Sequence, residues 1–432
     1  MLKVLDGGNN GKPEEFRITL DELAREGARS MIATALKVEV EEYLALLTGE
    51  RDADGRALVV RNGSARARKI TLGAGTIAIA APRVNDRRVV DGVRQKFSSK
   101  ILPPYIRRSP KVETVLPLLY LHGLSTGDFQ EALPVLLGDD AAGLSASAIT
   151  RLTHIWREEY AAWTKRNLQD RDYVYVWVDG VHFNIRLEEE KLAALVIIGV
   201  RPDGTKEIVA IEDGYRESTE SWLSLLRSLK ARGMKAPVVA VGDGALGFWA
   251  AMRQVWPTTR EQRCWFHKLG NVLDKLPKRL QPQGKRLLQD IFLAATKKDA
   301  VKAVERFALE FGGKYPKAVD CLVNDQDELL TYFDYPAEHW VHLRTTNPIE
   351  STFSTVRLRS RVTRGAGSRT AGLAMTFKLL QAASGHWRKL NGNQLLPLVR
   401  AGVKFIDGKQ QERKLKLINN QPEKKPAKRA AA

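Results

Sequence analysis

The sequence predicts an α/β core that follows a mainly helical, strongly basic N-terminal region and is interrupted by an all-helical segment. Three observations carry this. Between residues 173 and 266, strand-length apolar runs alternate with stretches of helical spacing. From 268 to about 335 the strand pattern vanishes and helical stripes take over. Residues 19–48 and 112–166 repeat apolar residues at near-helical spacing. The expected organisation is 1–110, a helix plus a basic β-hairpin region; 111–168, a helix-turn-helix-like DNA-binding unit; 169–269 with 341–400, the core; 270–340, the helical insertion; and 401–432, a basic tail.

Each element has a local reason. Thr19 and Glu22 make a capping box that starts the first helix. The period then changes: Val59-Val60, Ile70, Leu72, Ile77 and Ile79 read as short strands, with Gly73-Ala74-Gly75 as a turn and Pro82 ending the run. Ser125 and Ser145 each follow a Gly-Leu break and cap two further helices, the last presenting Ser147, Thr150, Arg151 and His154. In the core, YVYVWV (173–178), Phe183–Leu187, AALVIIGV (193–200) and EIVAIEDG (207–214) precede a helix over Glu217–Arg232. The strand PVVAVG, a helix from Ala245 and the strand QRCWFH complete it. The early strands form a meander around the turn Arg201-Pro202-Asp203-Gly204, and the later ones add in parallel through crossover helices.

The formal net charge of +19 over 432 residues points to a polyanionic partner, with nucleic acid first. Residues 61–108 carry twelve Lys or Arg against two Asp; so dense a surplus repels itself without a partner. Arg107 and Arg108 close that stretch. The tail 404–429 is also basic and is expected to be mobile. Two cysteines exclude a disulfide framework and fit a cytoplasmic protein. The first residues lack the apolar core of a signal peptide, and no run is long enough to span a membrane.

Three acids stand out. Asp179 follows an apolar strand in WVDG, and Asp243 follows another in AVGDG. Two such aspartates from one sheet converge readily on a divalent cation, and the glycine after each leaves room for a bulky partner. Each also has a structural alternative: Asp243 as the cap of the next helix, Asp179 as a turn residue. Glu350 lies in RTTNPIES, where Asn347 as N-cap and Pro348 as the first helical residue make it a capping-box glutamate. It is also the one acid among six arginines between 344 and 369: Arg344, Arg357, Arg359, Arg361, Arg364 and Arg369. That field suits a site holding both a cation and DNA phosphates, and Arg344, Arg357, Arg359, Arg361 and Arg364, with Arg107, Arg108 and Arg151, are the expected DNA contacts. Carboxylate oxygens select Mg²⁺ or Mn²⁺, and two such ions make phosphoryl transfer available.

The chain resembles bacterial insertion-sequence transposases of the Mutator-related type, the insertion-sequence 256 family. The resemblance rests on RNG at 61–63, LHGLSTGDFQEAL at 121–133, WVDGVHFNIR at 177–186, VGDGALGF at 241–248, RCWFHKLGNVLDKLPK at 263–278 and RTTNPIES at 344–351. It implies a ribonuclease-H-like mixed sheet with flanking helices, a helical insertion before the glutamate, and a DDE triad on Asp179, Asp243 and Glu350. It implies double-stranded DNA (element ends and target) as partner, a homodimer holding two ends, and action at the nucleoid of a bacterial cytoplasm.

Cys264 and His267 match the family's C-x-x-H motif. Three readings stay open for them: a role beside the catalytic acids on the scissile phosphate, half a zinc site completed by His339 and His342, or packing. His182 is a further residue within three positions of Asp179. Trp222, Trp249, Trp256 and Trp265 read first as packing. The functional reading is a DNA transposase that binds its terminal inverted repeats, cleaves and joins. Its competitors are a catalytically inactive, transposase-derived DNA-binding protein and a ribonuclease-H-type nuclease that only hydrolyses.

Overall fold

The computed structural model describes residues 19–121, 133–134, 137, 146–185, 192–244, 246–362 and 366–411. The chain divides into two units, one built on residues up to 158 with 361–363, the other on 159–360 and 364 onward.

In the first unit, helix α1 (Leu20–Leu46) starts with the expected capping box: Glu22 N–H donates to Thr19 Oγ1 and Thr19 N–H to the Glu22 carboxylate. Strands β1 (Val59–Ser64) and β4 (Pro82–Asp86) pair antiparallel, as do β2 (Arg68–Leu72) and β3 (Gly75–Ile79). Leu36 of α1 packs with Ile70, Ile77, Ile79 and Leu102. Pro82 does not end the strands; it opens β4 opposite Ser64, a strand-start position where its missing N–H costs nothing. A two-residue hairpin, β5 (Val89–Val90) and β6 (Val93–Arg94), turns through Asp91 and Gly92 at positive φ. Helix α2 spans Pro110–Leu121 and α3 spans Ala146–Thr164. The expected caps Ser125 and Ser145, and most of the helix-turn-helix reading with them, lie outside the described residues.

The second unit contains a five-stranded mixed sheet of β7 (Tyr175–Phe183), β8 (Leu192–Val200), β9 (Lys206–Asp213), β10 (Val239–Gly242) and β11 (Arg260–Arg263). Its order is β11-β10-β7-β8-β9. β7, β8 and β9 form the antiparallel meander, while β10 and β11 add in parallel. The turn before β9 forms at 201–204, where Gly204 takes φ +84°, a conformation glycine adopts without strain. β8 is apolar along its length because both its faces are covered.

Helix α4 (Thr219–Ala231) is capped by Ser218, and α5 (Phe248–Val255) is the second crossover. Trp222, Leu226, Phe248 and Met252 from these helices pack on Val176, Val178, Leu195, Ile197 and Val209 of the sheet. The four tryptophans are buried, as the packing reading expects, with Trp222 edge-on to Phe248.

After β11 the described residues form helices and no strand until α12 (Asn347–Val362): α6 (Trp265–Leu273), α7 (Gln281–Phe292), α8 (Lys297–Phe311), α9 (Pro316–Val323), α10 (Gln326–Leu329) and α11 (Trp340–Leu343). Gln262, fully buried in β11, accepts from Tyr332 N–H and donates to Leu329 O and Arg263 O, tying sheet to insertion. Helix α13 (Arg369–Ser384) lies against β9. The start of the tail is not loose: Phe405–Ile406 pairs with Lys409–Gln410, and Asp407 accepts from Lys297 N–H at 2.7 Å. Residues 412–429, which carry most of the charge that suggested mobility, lie outside the described residues. No helix among the described residues is long and apolar enough to cross a membrane.

Candidate active site

The ends of three neighbouring strands build the site. Gly242 of β10 pairs with Val178 of β7 on one side and Arg263 of β11 on the other. One step further, Asp179, Asp243 and Cys264 therefore stand at one level on adjacent strands, which lie ~4.8 Å apart in a sheet. Asp179 is not at the end of its own strand, because β7 continues to Phe183 beside β8. It lies where the β10 side of β7 runs out of partner, so the turn reading fails for it. Strand alternation puts His182 on the opposite face from Asp179.

Asp243 does not cap the following helix. That helix begins at Phe248 after Gly247, with no side-chain cap. Trp249 Nε1 donates to the backbone carbonyl of Asp243 at 2.6 Å, which fixes the turn. Asp179 is buried, accepts from Gly180 N–H at 2.7 Å and pairs with Arg216. Burial raises its pKa, opposed by Arg216 and His267 and reinforced by Glu350. These groups therefore share one electrostatic neighbourhood.

Arg216 is the residue that the sequence reading missed. Its Nη2 lies 2.8 Å from Asp179 Oδ1 and 3.7 Å from Asp243 Oδ2. The only sequence hint was a basic residue just past the end of β9, in EDGYRES.

Cys264 precedes α6 and is fully buried; its N–H donates to Gly242 O at 2.9 Å. Trp265 N–H donates to Arg344 O at 2.8 Å, which draws the segment before α12 against the strand ends. Thr346 N–H then donates to Cys264 Sγ at 3.3 Å. The expected capping box between Asn347 and Glu350 does not form, because Glu350 bonds Thr346 instead. The helix starts at Asn347, Glu350 N–H donates to Thr346 O at 3.0 Å, and the Thr346 hydroxyl donates to the Glu350 carboxylate. Glu350 is thus the fourth helical residue, and its carboxylate turns towards His267, 3.7 Å from Nε2.

Cys264, His267 and Glu350 gather with their ligand atoms within 4.8 Å of one another. The neighbouring Cys264, Asp243 and Glu350 together outweigh burial and raise His267 to a pKa of about 9. The zinc partners are not there: His339 bonds Tyr175 Oη at 2.8 Å and Gly392 O at 2.9 Å, and His342 accepts from Asn391 N–H. Burial lowers both histidines, His342 to about 4.

The expected DNA-contacting arginines separate into classes. Arg107, Arg151, Arg357 and Arg361 are exposed. Arg108 is buried and bonds Glu113, and Arg359 is 1% exposed inside α12. Arg344 donates to Phe292 O and Trp340 O, which stitches the insertion to the core. Arg369 pairs with Asp213. Arg364 lies outside the described residues. In this conformation Arg108 and Arg344 make charge-assisted bonds within the fold to a carboxylate and to carbonyls.

The sequence matches the family described as "Transposase, Mutator family" over residues 9–389. The transposase for insertion sequence element IS6120 of Mycolicibacterium smegmatis is 59% identical over 299 residues, which span 69% of this chain and 92% of that protein. The transposase for insertion sequence element IST2 of Acidithiobacillus ferrooxidans is 47% identical over 287 residues, 65% of this chain and 95% of that one. The transposase for insertion sequence element ISRM5 of Rhizobium meliloti is 27% identical across 85% of this chain and 89% of its own length.

Proposed function

The chain belongs to the Mutator family of transposases, and from that premise we propose that it cleaves the ends of its own insertion sequence and joins them to a target through Asp179, Asp243 and Glu350. The observation that carries the reading is the shared level of Asp179 and Asp243 on adjacent strands, with Glu350 delivered to the same neighbourhood by the first turn of α12. We read the sheet as the ribonuclease-H-like core that the resemblance implies. Its order, a three-stranded meander followed by two parallel strands, is compatible with that reading.

The donors fit a pair of divalent cations. Asp179 and Asp243 already share one cationic group, and all three acids offer hard oxygens. Mg²⁺ or Mn²⁺ held by Asp179, Asp243 and Glu350 would supply activation of the attacking oxygen and stabilisation of the leaving one. The protein's own residues do the rest. Buried Asp179 keeps its orientation through Gly180 N–H. The Thr346 hydroxyl orients the Glu350 carboxylate, and the acids beside His267 favour its cationic form. A cation there suits a phosphate oxygen of the scissile strand. The exposed arginines and the basic stretch 61–108 grip DNA backbone, and two protomers hold the two ends.

The test is cleavage and joining of labelled terminal-repeat DNA by Asp179→Ala, Asp243→Ala and Glu350→Ala. Each variant is expected to bind ends like the wild type and to lose both reactions. Wild-type cleavage by any one of them would remove that residue from the triad. End binding with no reaction by the wild type in Mg²⁺ or Mn²⁺ would favour a DNA-binding derivative.

A further inference from the structure

The reaction as proposed uses the three acids and leaves Arg216 unexplained. Three features single this arginine out. First, one nitrogen, Nη2, reaches both aspartates, so the guanidinium spans the space between two carboxylates at the strand ends. Second, the fold makes room for it. A methyl group on Gly180 would lie 2.3 Å from Arg216 Cγ and 2.9 Å from Cδ. Those atoms belong to the stem of the side chain, so any residue but glycine at 180 evicts it. Gly180 does not have a positive φ, and this close approach is what calls for glycine there.

Third, the arginine is anchored at its backbone and underused at its tip. The Arg216 carbonyl accepts from Trp222 Nε1 at 2.8 Å and from Gly247 N–H at 3.0 Å. Its buried Nε has no hydrogen-bond partner among the described residues. A guanidinium has five N–H donors in a rigid fork, and a buried donor without an acceptor costs free energy.

We propose that Arg216 is a resident cation of the catalytic pair: it holds Asp179 and Asp243 side by side before the metal ions load, and yields them on loading to turn its fork onto a DNA phosphate. Without a cation between them, two neighbouring carboxylates repel each other and move apart. With Arg216 between them they stay in register. The guanidinium and the incoming ions then compete for the same oxygens. Once displaced, Nε and the freed Nη2 form a bidentate face, which matches the oxygens of a phosphodiester. Arg216 is in this sense a positioning residue for the ions and a partner for the DNA strand.

The inference rests on the assignment of Asp179 and Asp243 to the metal site, and one titration distinguishes the two. Mn²⁺ binding to the full chain without DNA is followed by the loss of the free-ion electron paramagnetic resonance signal. It is measured for the wild type, Arg216→Gln, Arg216→Lys, Gly180→Ala and the double variant Asp179→Asn/Asp243→Asn. Competition predicts that Arg216→Gln binds Mn²⁺ about tenfold more tightly than the wild type, with Arg216→Lys between them. Gly180→Ala, which expels the stem without removing the charge, is expected to tighten binding as well. The same Arg216→Gln protein should join ends more slowly despite its tighter hold on metal, and Arg216→Lys should recover part of that loss.

Unchanged or weaker Mn²⁺ binding in a folded Arg216→Gln protein overturns the proposal, with folding checked by an unshifted thermal transition. If the double aspartate variant binds Mn²⁺ like the wild type, the metal-site assignment itself fails. If that variant loses Mn²⁺ while Arg216→Gln gains nothing, the role of Arg216 alone fails.

Discussion

Replacing Asp86 by Asn probes how α1 is moored to the basic strands, and its cost can be worked from the structure. The Asp86 side chain is buried and accepts from four donors: Tyr43 Oη at 2.6 Å, and Arg88 Nη2, Nε and N–H at 2.8, 3.1 and 3.0 Å. The Arg88 guanidinium is the largest influence and holds the carboxyl at about 2 against an ordinary 3.8. At about 1.4 kcal/mol for each pKa unit, the bonded carboxylate contributes roughly 2.5 kcal/mol. Breaking a closed buried pair can cost about 3–5 kcal/mol, but Arg88 keeps a 17% exposed side chain that can turn to water. The lower figure is therefore the better one, and Asp86→Asn should be less stable by about 2–3 kcal/mol at pH 6.

The pH dependence has a definite sign. A carboxyl whose folded-state pKa is depressed stabilises fully above its unfolded value and loses that contribution as pH falls through the folded one. The gap between wild type and variant should hold from neutral pH to about 4 and close towards about 2. Urea unfolding, with hydrogen exchange of the β4 amides to localise the effect, reads both quantities. A gap below about 0.5 kcal/mol at pH 6, or one that does not change on acidification, would refute the reasoning.

Two other outcomes follow from the same physics. Gln262→Ala removes the acceptor of Tyr332 N–H and two donor bonds in a fully buried position, and should destabilise the second unit by about 2–4 kcal/mol in thermal unfolding; an unchanged transition would show that Tyr332 finds another acceptor. Affinity for terminal-repeat DNA should fall steeply with salt, with a log–log slope of about −5 or steeper, as expected where many phosphates are neutralised; a flat response would remove DNA backbone as the partner of the basic stretch 61–108.

Much of the fold was written locally. The capping box at Thr19, the order meander-then-parallel, the turn at Gly204 and the strandless insertion are each set by residues near in sequence, through helical or alternating period and turn chemistry. Where local signals misled, a distant partner was responsible. Pro82 starts a strand because Ser64 lies opposite. The first residues of the tail form a hairpin at 405–410 because Asp407 and Gly408 bond the helical insertion.

The candidate site divides in the same way. The residue types and their positions after apolar strands marked Asp179 and Asp243 from the sequence alone, although each had a local excuse as a turn or a cap. Only the sheet register removed those excuses, by setting the two aspartates and Cys264 at one level, which is a property of strand pairing across more than sixty residues of chain. Glu350 turns to His267 where Thr346, drawn in by Cys264, donates its hydroxyl to the Glu350 carboxylate. Arg216 was illegible, since nothing in its own neighbourhood says that its side chain crosses Gly180 to lie between two carboxylates. Sequence by itself determined which elements form and which acids are available, because those depend on short-range period and propensity. The tertiary structure alone decided which charges meet, because a Coulomb contact depends on distance in space and carries no imprint on spacing along the chain.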